Sequence, residues 1–501
     1  MMAYRLLNRI FVGVVVVASS LAASAGIRPN GWHELKTTNF TLVTDLPVQE
    51  AKLRIQELEL FRAVVLKVTN AEADSGGLPT KAYVFSRRKD FSQVTKKGGV
   101  LGWFRSSLRG NVMAYSAKTT GLQNRLVAQH EYVHSIMAAS GAVYPRWYSE
   151  GLADMLGAIY IKDDRVVIGG EIVGRIKRLS AGDVYVPLSR IISKEDIWNW
   201  NVYLASFFYS MSWATVNYMY TGRLVGKDDH GKNLPEYLNL ISKGIPSLEA
   251  FKSSFGISPK KMEEEVLEFL TIKRRGVLAI PADRFEFDDS LQIRRLDEKQ
   301  VLYEIAYLMV ERNPKGARKL FKEILSDDPS NKRAAAGIAV SWQMEKKWDK
   351  GLKAATAALD DKDHIPSLEY ADMVLLFCMQ SKRSASNERL LLTAISEYEK
   401  VLVLKPNDPE AQIGLAKSFS LLSKKLEVAR DYAKAVLHLV PGDAEVNYLL
   451  GHIFVQLGEY ENALKYLLTA SRLTHSERLL AMIRIDLLII NAVDGGSSDQ
   501  L

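Results

Sequence analysis

The stretch "HEYVHSIMAASGAVYPRWYSEGLAD", residues 130–154, gathers His130, Glu131, His134, Glu150 and Asp154 in a chain with only 8 histidines among 501 residues. The segment that contains its start, "LQNRLVAQHEYVHSIMAAS", has helical apolar spacing and is closed by Gly141, so the H-E-x-x-H pattern falls on a helix. At about 3.6 residues per turn, His130 and His134 share one face and Glu131 lies beside them. Two imidazoles at that spacing chelate one ion, and the glutamate is placed to take a proton from the water which that ion activates. Pro145 suits the first turn of a second helix, which carries "WYSEGLAD", so a carboxylate returns where a third ligand is needed. Catalytic zinc takes three protein ligands and keeps a fourth position for water, and His130, His134 and Glu150 complete that set with Zn2+ as the expected cofactor. Asp154, on the same face as Glu150, can accept the free ring N–H of His130.

Working outward, the length predicts about two or three domains. The 66 basic residues outnumber the 58 acidic ones by a net charge of +8, without a long run of either sign. No basic stripe interleaved with aromatics and no nucleic-acid motif appears, so no nucleic-acid partner is expected. The single cysteine, Cys378, excludes an internal disulfide and any multi-cysteine metal site, which leaves histidine and carboxylate for metal chemistry. At the N-terminus, Arg5 and Arg9 precede "FVGVVVVASSLAASA", which ends in Ala23-Ser24-Ala25. That is the form of a secretory signal over 1–25, cut before Gly26. The expected location is the bacterial periplasm or exterior, with membrane contact only through this segment if it stays uncleaved.

"ELKTTNFTLVTD" and "TKAYVFSRR" carry β-rich alternation on either side of the helical "VQEAKLRIQELELFRAVVLKVT", which predicts a strand, helix, strand opening. "NVMAYSA" reads as a short strand ahead of the histidine helix. Further on, "LASFFYSMSWATVNYMYTG" is a largely buried helix closed by Gly222, and "SPKKMEEEVLEFLTIKRR" an amphipathic one opened by Ser258 and Pro259. The helical period is lost over 276–297, which is taken as a linker between a domain at 26–275 and another at 298–490. The last stretch, 491–501, reads as a disordered tail.

From about residue 300 the chain repeats. "GARKLFKEILSDDP", "TAISEYEKVLVLKP" and "EVARDYAKAVLHLVP" each place a small residue (Ala317, Ala394, Ala429) ahead of a proline (Pro329, Pro406, Pro441), and Pro406 and Pro441 stand 35 residues apart. That period is close to the tetratricopeptide length. The final unit has Gly451, Tyr460, Ala463, Leu467 and Ala470 at offsets that let one helix pack tightly on the next. Four or five units are expected, including a degenerate one around 332–365 and an irregular stretch near 366–390. Such repeats stack because no helix pair buries its apolar face alone, and the concave surface that results binds a protein partner.

With "HEYVH", "WYSEGLAD" and, more loosely, "FFYSMSWATVNYM" and "SLEAFKSSFGISPKKMEEE", the sequence resembles the gluzincin metallopeptidases, the group that includes thermolysin and aminopeptidase N. It is most similar to the peptidase-like domains of exported bacterial proteins fused to tetratricopeptide repeats, and the resemblance covers roughly residues 30–275. It implies an α+β zincin-like metallopeptidase domain followed by an all-α tetratricopeptide-repeat solenoid. It also implies His130, His134 and Glu150 as metal ligands, Glu131 as general base, Asp154 as support of a ligand histidine, and a peptide or protein substrate. The interval from His134 to Glu150 is shorter than in the best-known members, and the glycine-methionine-glutamate-asparagine motif of the aminopeptidases is absent, which directs the expectation to an endopeptidase. In the family a strand before the motif helix pairs with substrate backbone, here Val112 to Tyr115. Tyr209 is the candidate second donor to the developing oxyanion, with core packing of its ring as the alternative; His230 in "GKDDHGKN" reads as a solvated loop residue. Against the exported zinc endopeptidase stand two other readings: a non-catalytic envelope scaffold built on the repeats, and a zinc hydrolase of a non-peptide amide or ester.

Overall fold

The computed structural model describes residues 27, 29–71, 78–95, 102–117, 123–193, 200–382, 384–474 and 476–493. The signal segment over 1–25 and its cut site lie outside them, as does the tail from residue 494; residues 491–493, assigned to that tail, instead continue the last helix. In chain order the N-terminal half holds β1 (His33–Lys36), β2 (Phe40–Thr44), α1 (Val48–Thr69), β3 (Thr80–Phe85), α2 (Arg88–Thr95), β4 (Gly102–Arg105), β5 (Asn111–Ser116), α3 (Gln123–Ala139) and α4 (Arg146–Gly157). Then come β6 (Tyr160–Lys162), β7 (Arg165–Ile168), α5 (Val173–Ser180), α6 (Leu188–Ser193), α7 (Val202–Thr221), α8 (Leu234–Ser242), α9 (Ser247–Phe255), α10 (Pro259–Thr271), β8 (Leu278–Pro281) and β9 (Gln292–Arg295).

Six strands form one sheet in the order β4-β5-β3-β2-β1-β9. β2, β3 and β5 run parallel, and the parallel step from β2 to β3 needs a crossover, which α1 supplies. β1, β4 and β9 are antiparallel to their neighbours. The opening segment read as one strand is a hairpin, Lys36 pairing with Thr41. Side chains alternate across the central strands. Phe40, Leu42, Ala82, Val84, Met113 and Tyr115 join the core built with α1 and α3, while Val43, Tyr83, Phe85, Val112 and Ala114 enter a second core.

The helices that follow are α11 (Glu298–Met309), α12 (Pro314–Asp327), α13 (Lys332–Met344), α14 (Trp348–Ala358), α15 (His364–Gln380) and α16 (Ala385–Leu404). They continue as α17 (Pro409–Leu422), α18 (Leu426–Leu439), α19 (Ala444–Leu457), α20 (Tyr460–Leu473) and α21 (Glu477–Val493). Among the described residues these make five antiparallel pairs and a closing helix, and the irregular stretch near 366–390 falls within the long pair α15 and α16. Small residues sit where neighbours cross: a Cβ on Gly414 of α17 would lie 2.2 Å from the Tyr398 ring of α16.

The second face of the sheet is covered by α2 and by the first helices of the solenoid. Val301, Ile305, Leu308 and Met309 of α11 share a core with Tyr83, Phe85, Val112 and Ala114. Glu304 of the same helix accepts from the Tyr83 hydroxyl at 2.6 Å and from Lys81 Nζ at 2.7 Å. The segment 276–297 is therefore no linker. β8 pairs with β7 and β9 closes the sheet beside β1; four-residue strands are too short to show a period, so their loss of helical pattern reads as a gap. Further along, the turn between β4 and β5 docks on the solenoid, where its Arg109 pairs with Glu369 and Asp372 of α15 and Glu410 of α17. No helix among the described residues is long and apolar enough to cross a membrane.

Candidate functional site

Helix α3 carries His130, Glu131 and His134; the chain turns through Gly141 at a φ of 68°; and α4, entered through Pro145, carries Glu150 and Asp154. α4 is held between α3 and α7. A Cβ on Gly151 would lie 2.4 Å from the Ser212 carbonyl oxygen of α7, so only glycine permits this approach. Glu150, about 100° round the helix from it, is left facing α3.

His130 Nε2 and His134 Nε2 are 3.1 Å apart, and Glu150 Oε2 stands 3.2 Å from the first and 3.3 Å from the second. Each ring is held from behind. His130 Nδ1 lies 2.9 Å from Asp154 Oδ1, whose other oxygen accepts from Arg175 Nε at 2.7 Å, and His134 Nδ1 lies 3.1 Å from Ser149 Oγ. Anchoring through Nδ1 turns both Nε2 atoms toward Glu150. Burial by itself favours a neutral His130, yet hydrogen bonds to Asp154 and Glu150, and their charges, push it up to about 10. Burial likewise opposes ionisation of Glu150, but hydrogen bonds with His130 and His134 hold it well below the usual carboxylate range. Both shifts have one cause: carboxylates around an imidazole pair favour positive charge between them, which a proton or a cation supplies. His130, His134 and Glu150 could hold such a cation together.

Exposed Glu131 and half-buried His134 stand where two cavities meet. One, of 390 Å³, also contains His130, Arg146, Glu150, Arg175 and Tyr209. The other, of 510 Å³, runs past Phe104 and Arg105 of β4 to the start of α19. The Tyr209 ring lies 5.3 Å from the Arg175 guanidinium, and its hydroxyl is raised by burial and by the Glu150 charge against the pull of Arg146 and Arg175. The structure thus brings His130, Glu131, His134, Glu150, Asp154 and Tyr209 around one place. His230 belongs elsewhere. Far from a solvated loop position, it is buried on a 3-10 turn, its Nε2 2.8 Å from Glu265 of α10, which also accepts from the Tyr218 hydroxyl of α7 at 2.9 Å. Val112 to Tyr115 is not an edge either, because β5 lies between β3 and β4; among the described residues the strand at this end of the sheet, beside the site, is β4.

Sequence reasoning missed Arg146, Ser149 and Arg175. Arg146 Nη2 lies 3.8 Å from Glu150 Oε1, and its place four residues earlier is a readable helical spacing. Arg175 comes from α5, and no local pattern ties it to Asp154.

Residues 423–474 match the tetratricopeptide repeat family, and no curated protein matches the chain. Among solved structures, a thermophilic tetratricopeptide-repeat protein of Thermus thermophilus is 15% identical over 38% of this chain and 99% of its own, with a TM-score of 0.31. MamA from Desulfovibrio magneticus RS-1 is 14% identical over 36% of this chain and 98% of its own, at a TM-score of 0.30. YrrB, a repeat protein described as having an unusual peptide-binding site, is 17% identical over 37% of this chain and 91% of its own, again at 0.30. The family match shows a tetratricopeptide-repeat protein-interaction domain toward the C-terminal end.

Proposed function

We propose that this chain is an exported zinc-dependent endopeptidase whose tetratricopeptide-repeat domain engages a protein partner. The observation that carries the reading is the convergence of one donor atom each from His130, His134 and Glu150 within 4.8 Å of one another. Two imidazoles and a carboxylate are the ligand chemistry of hydrolytic zinc. The fit extends to the surroundings: Asp154 and Ser149 fix the rings through their other nitrogens, and Glu131 stands exposed beside them. When bound, zinc supplies a Lewis acid that lowers the pKa of water to about 7 and polarises a carbonyl.

The chain's own residues do the rest. Glu131 accepts a proton as water adds to the scissile carbonyl and returns it to the leaving amine. Tyr209 offers a donor toward the developing oxyanion. The edge of β4 holds the substrate backbone extended through main-chain hydrogen bonds. The signal-like segment over 1–25 directs the protein to the periplasm or exterior.

Metal analysis of the purified protein, beside a casein digest with and without a chelator, tests this. About one zinc per chain is expected, with hydrolysis lost on chelation. Glu131→Gln keeps the metal while hydrolysis falls by about 10²- to 10⁴-fold. A zinc-free wild type, or a Glu131→Gln variant of undiminished activity, overturns the proposal. The repeat-family match favours a second reading, a scaffold whose N-terminal half does no chemistry; a Glu131→Gln strain with an unchanged phenotype in vivo would select it.

A further inference from the structure

The 510 Å³ cavity that opens from Glu131 and His134 is bounded on one side by Phe104 and Arg105 of β4 and on the other by Ala444 and Glu445 of α19 and Leu479 of α21. This far wall is seated firmly. A Cβ on Gly442 would lie 2.1 Å from the Ala138 carbonyl oxygen of α3, and a Cβ on Gly141 would lie 3.0 Å from Cβ of Pro441. The near wall is held by the solenoid as well. At the tip of the β4–β5 turn Arg109 is ringed by Glu369, Asp372 and Glu410, and Arg105 pairs with Glu311 just after α11. Charge-assisted contacts of one guanidinium with three carboxyl groups pin the turn to α15 and α17.

We infer that the solenoid is a wall of the reaction cleft and its size filter: the last repeat closes one side, the Arg109 clamp fixes the strand on the other, and the slot between admits one extended polypeptide segment while excluding folded surface. The identity of the occupant rests on the peptidase reading above. A chain laid along the edge of β4 would lie about 4.8 Å from it, inside the 510 Å³ cavity that α19 and α21 also line. Arg109 and Ala444 touch no reacting atom in this scheme; they position the walls.

The test uses the full chain carrying Glu131→Gln, loaded with zinc, and fluorescein-labelled ribonuclease A as probe, either native or reduced and carboxymethylated, with binding read by anisotropy. The unfolded probe is expected to bind about tenfold tighter than the native one. Ala444→Trp, which fills the slot, weakens that binding about fivefold at constant zinc content. Glu445→Trp, on an exposed side chain of the same wall, repeats the effect without entering the core, so misfolding does not account for it. Arg109→Ala weakens binding and Arg109→Lys restores part of it. Equal binding of the two probes, binding of neither, or wall variants of unchanged affinity overturns the inference. If the zinc-loaded wild type fails to cut the unfolded probe while the preference and the wall effect persist, the peptidase reading fails and the wall stands; cutting with an inert wall sinks the wall alone.

Discussion

Asp154 is buried and serves two partners at once, His130 Nδ1 at 2.9 Å and Arg175 Nε at 2.7 Å. Replacing it with asparagine keeps the volume, removes the charge and leaves one acceptor oxygen for two donors, so the hydrogen bond that aims the other imidazole nitrogen at the shared point is weakened, and the amide NH2 faces either the imidazole N–H or the Arg175 guanidinium. Asp154→Asn is expected to lower zinc affinity by about 10- to 100-fold, read by competition with a chelator of known affinity, with helix content unchanged; equal affinity would mean that the aspartate serves packing alone. Residues of this kind are legible when their geometry is local. His130 and His134 share a helix face, and Glu150 and Asp154 repeat that spacing one helix later, so all four could be placed from helical period and two end signals. Arg175 could not, because its meeting with Asp154 depends on how α5 docks against the site. His230 misled for the opposite reason: a polar, glycine-bearing segment looks like a loop, and its burial comes from Glu265, Tyr218 and Phe255, which lie outside that segment.

Among elements, long helices were readable and short strands were not. The segment read as the first helix coincides with α1, Val48–Thr69, because 22 residues carry several turns of period. β4 and β9, with four residues each, carry none, and the edge strand beside the site was consequently placed one strand too far in. The β4–β5 turn has a pH dependence that follows from its clamp. Burial, with the charges of Asp372 and Glu369, pushes Glu410 up to about 8 against the pull of Arg109. A carboxyl whose folded value lies above its ordinary 4.5 binds its proton more tightly when folded. Its contribution to stability is complete below about pH 4.5 and is lost as pH rises through about 8. Glu410→Gln, which cannot ionise, removes that loss. Urea midpoints at pH 5, 6.5 and 8 should therefore show the wild type declining relative to the variant with rising pH, and a constant difference would mean that the Arg109 pairing keeps Glu410 ionised throughout.

At the scale of the whole molecule the sequence divides where the structure does not. The repeats announce a separate domain through their period, yet α11 and α12 join α2 in covering the sheet. β5 is apolar at its four central positions and buried throughout, which in a strand means a layer on each face; the first layer is α1 and α3, and the second combines α2 with helices from beyond residue 297. Val43, Tyr83, Phe85, Trp103 and Val112 are all buried in the core shared with α11 and α12. Burying one such side chain contributes about 1.5–3 kcal/mol, so baring several at once removes as much as the roughly 5–15 kcal/mol by which a typical domain is stable. A fragment 27–297 is accordingly expected to lack a cooperative urea transition and to aggregate, whereas 27–345, which keeps α11 to α13, should regain one, both followed by circular dichroism. A cooperative 27–297 fragment would mean that the sheet tolerates water on its second face, and the solenoid would then be an appended arm, free to move against the site instead of walling it.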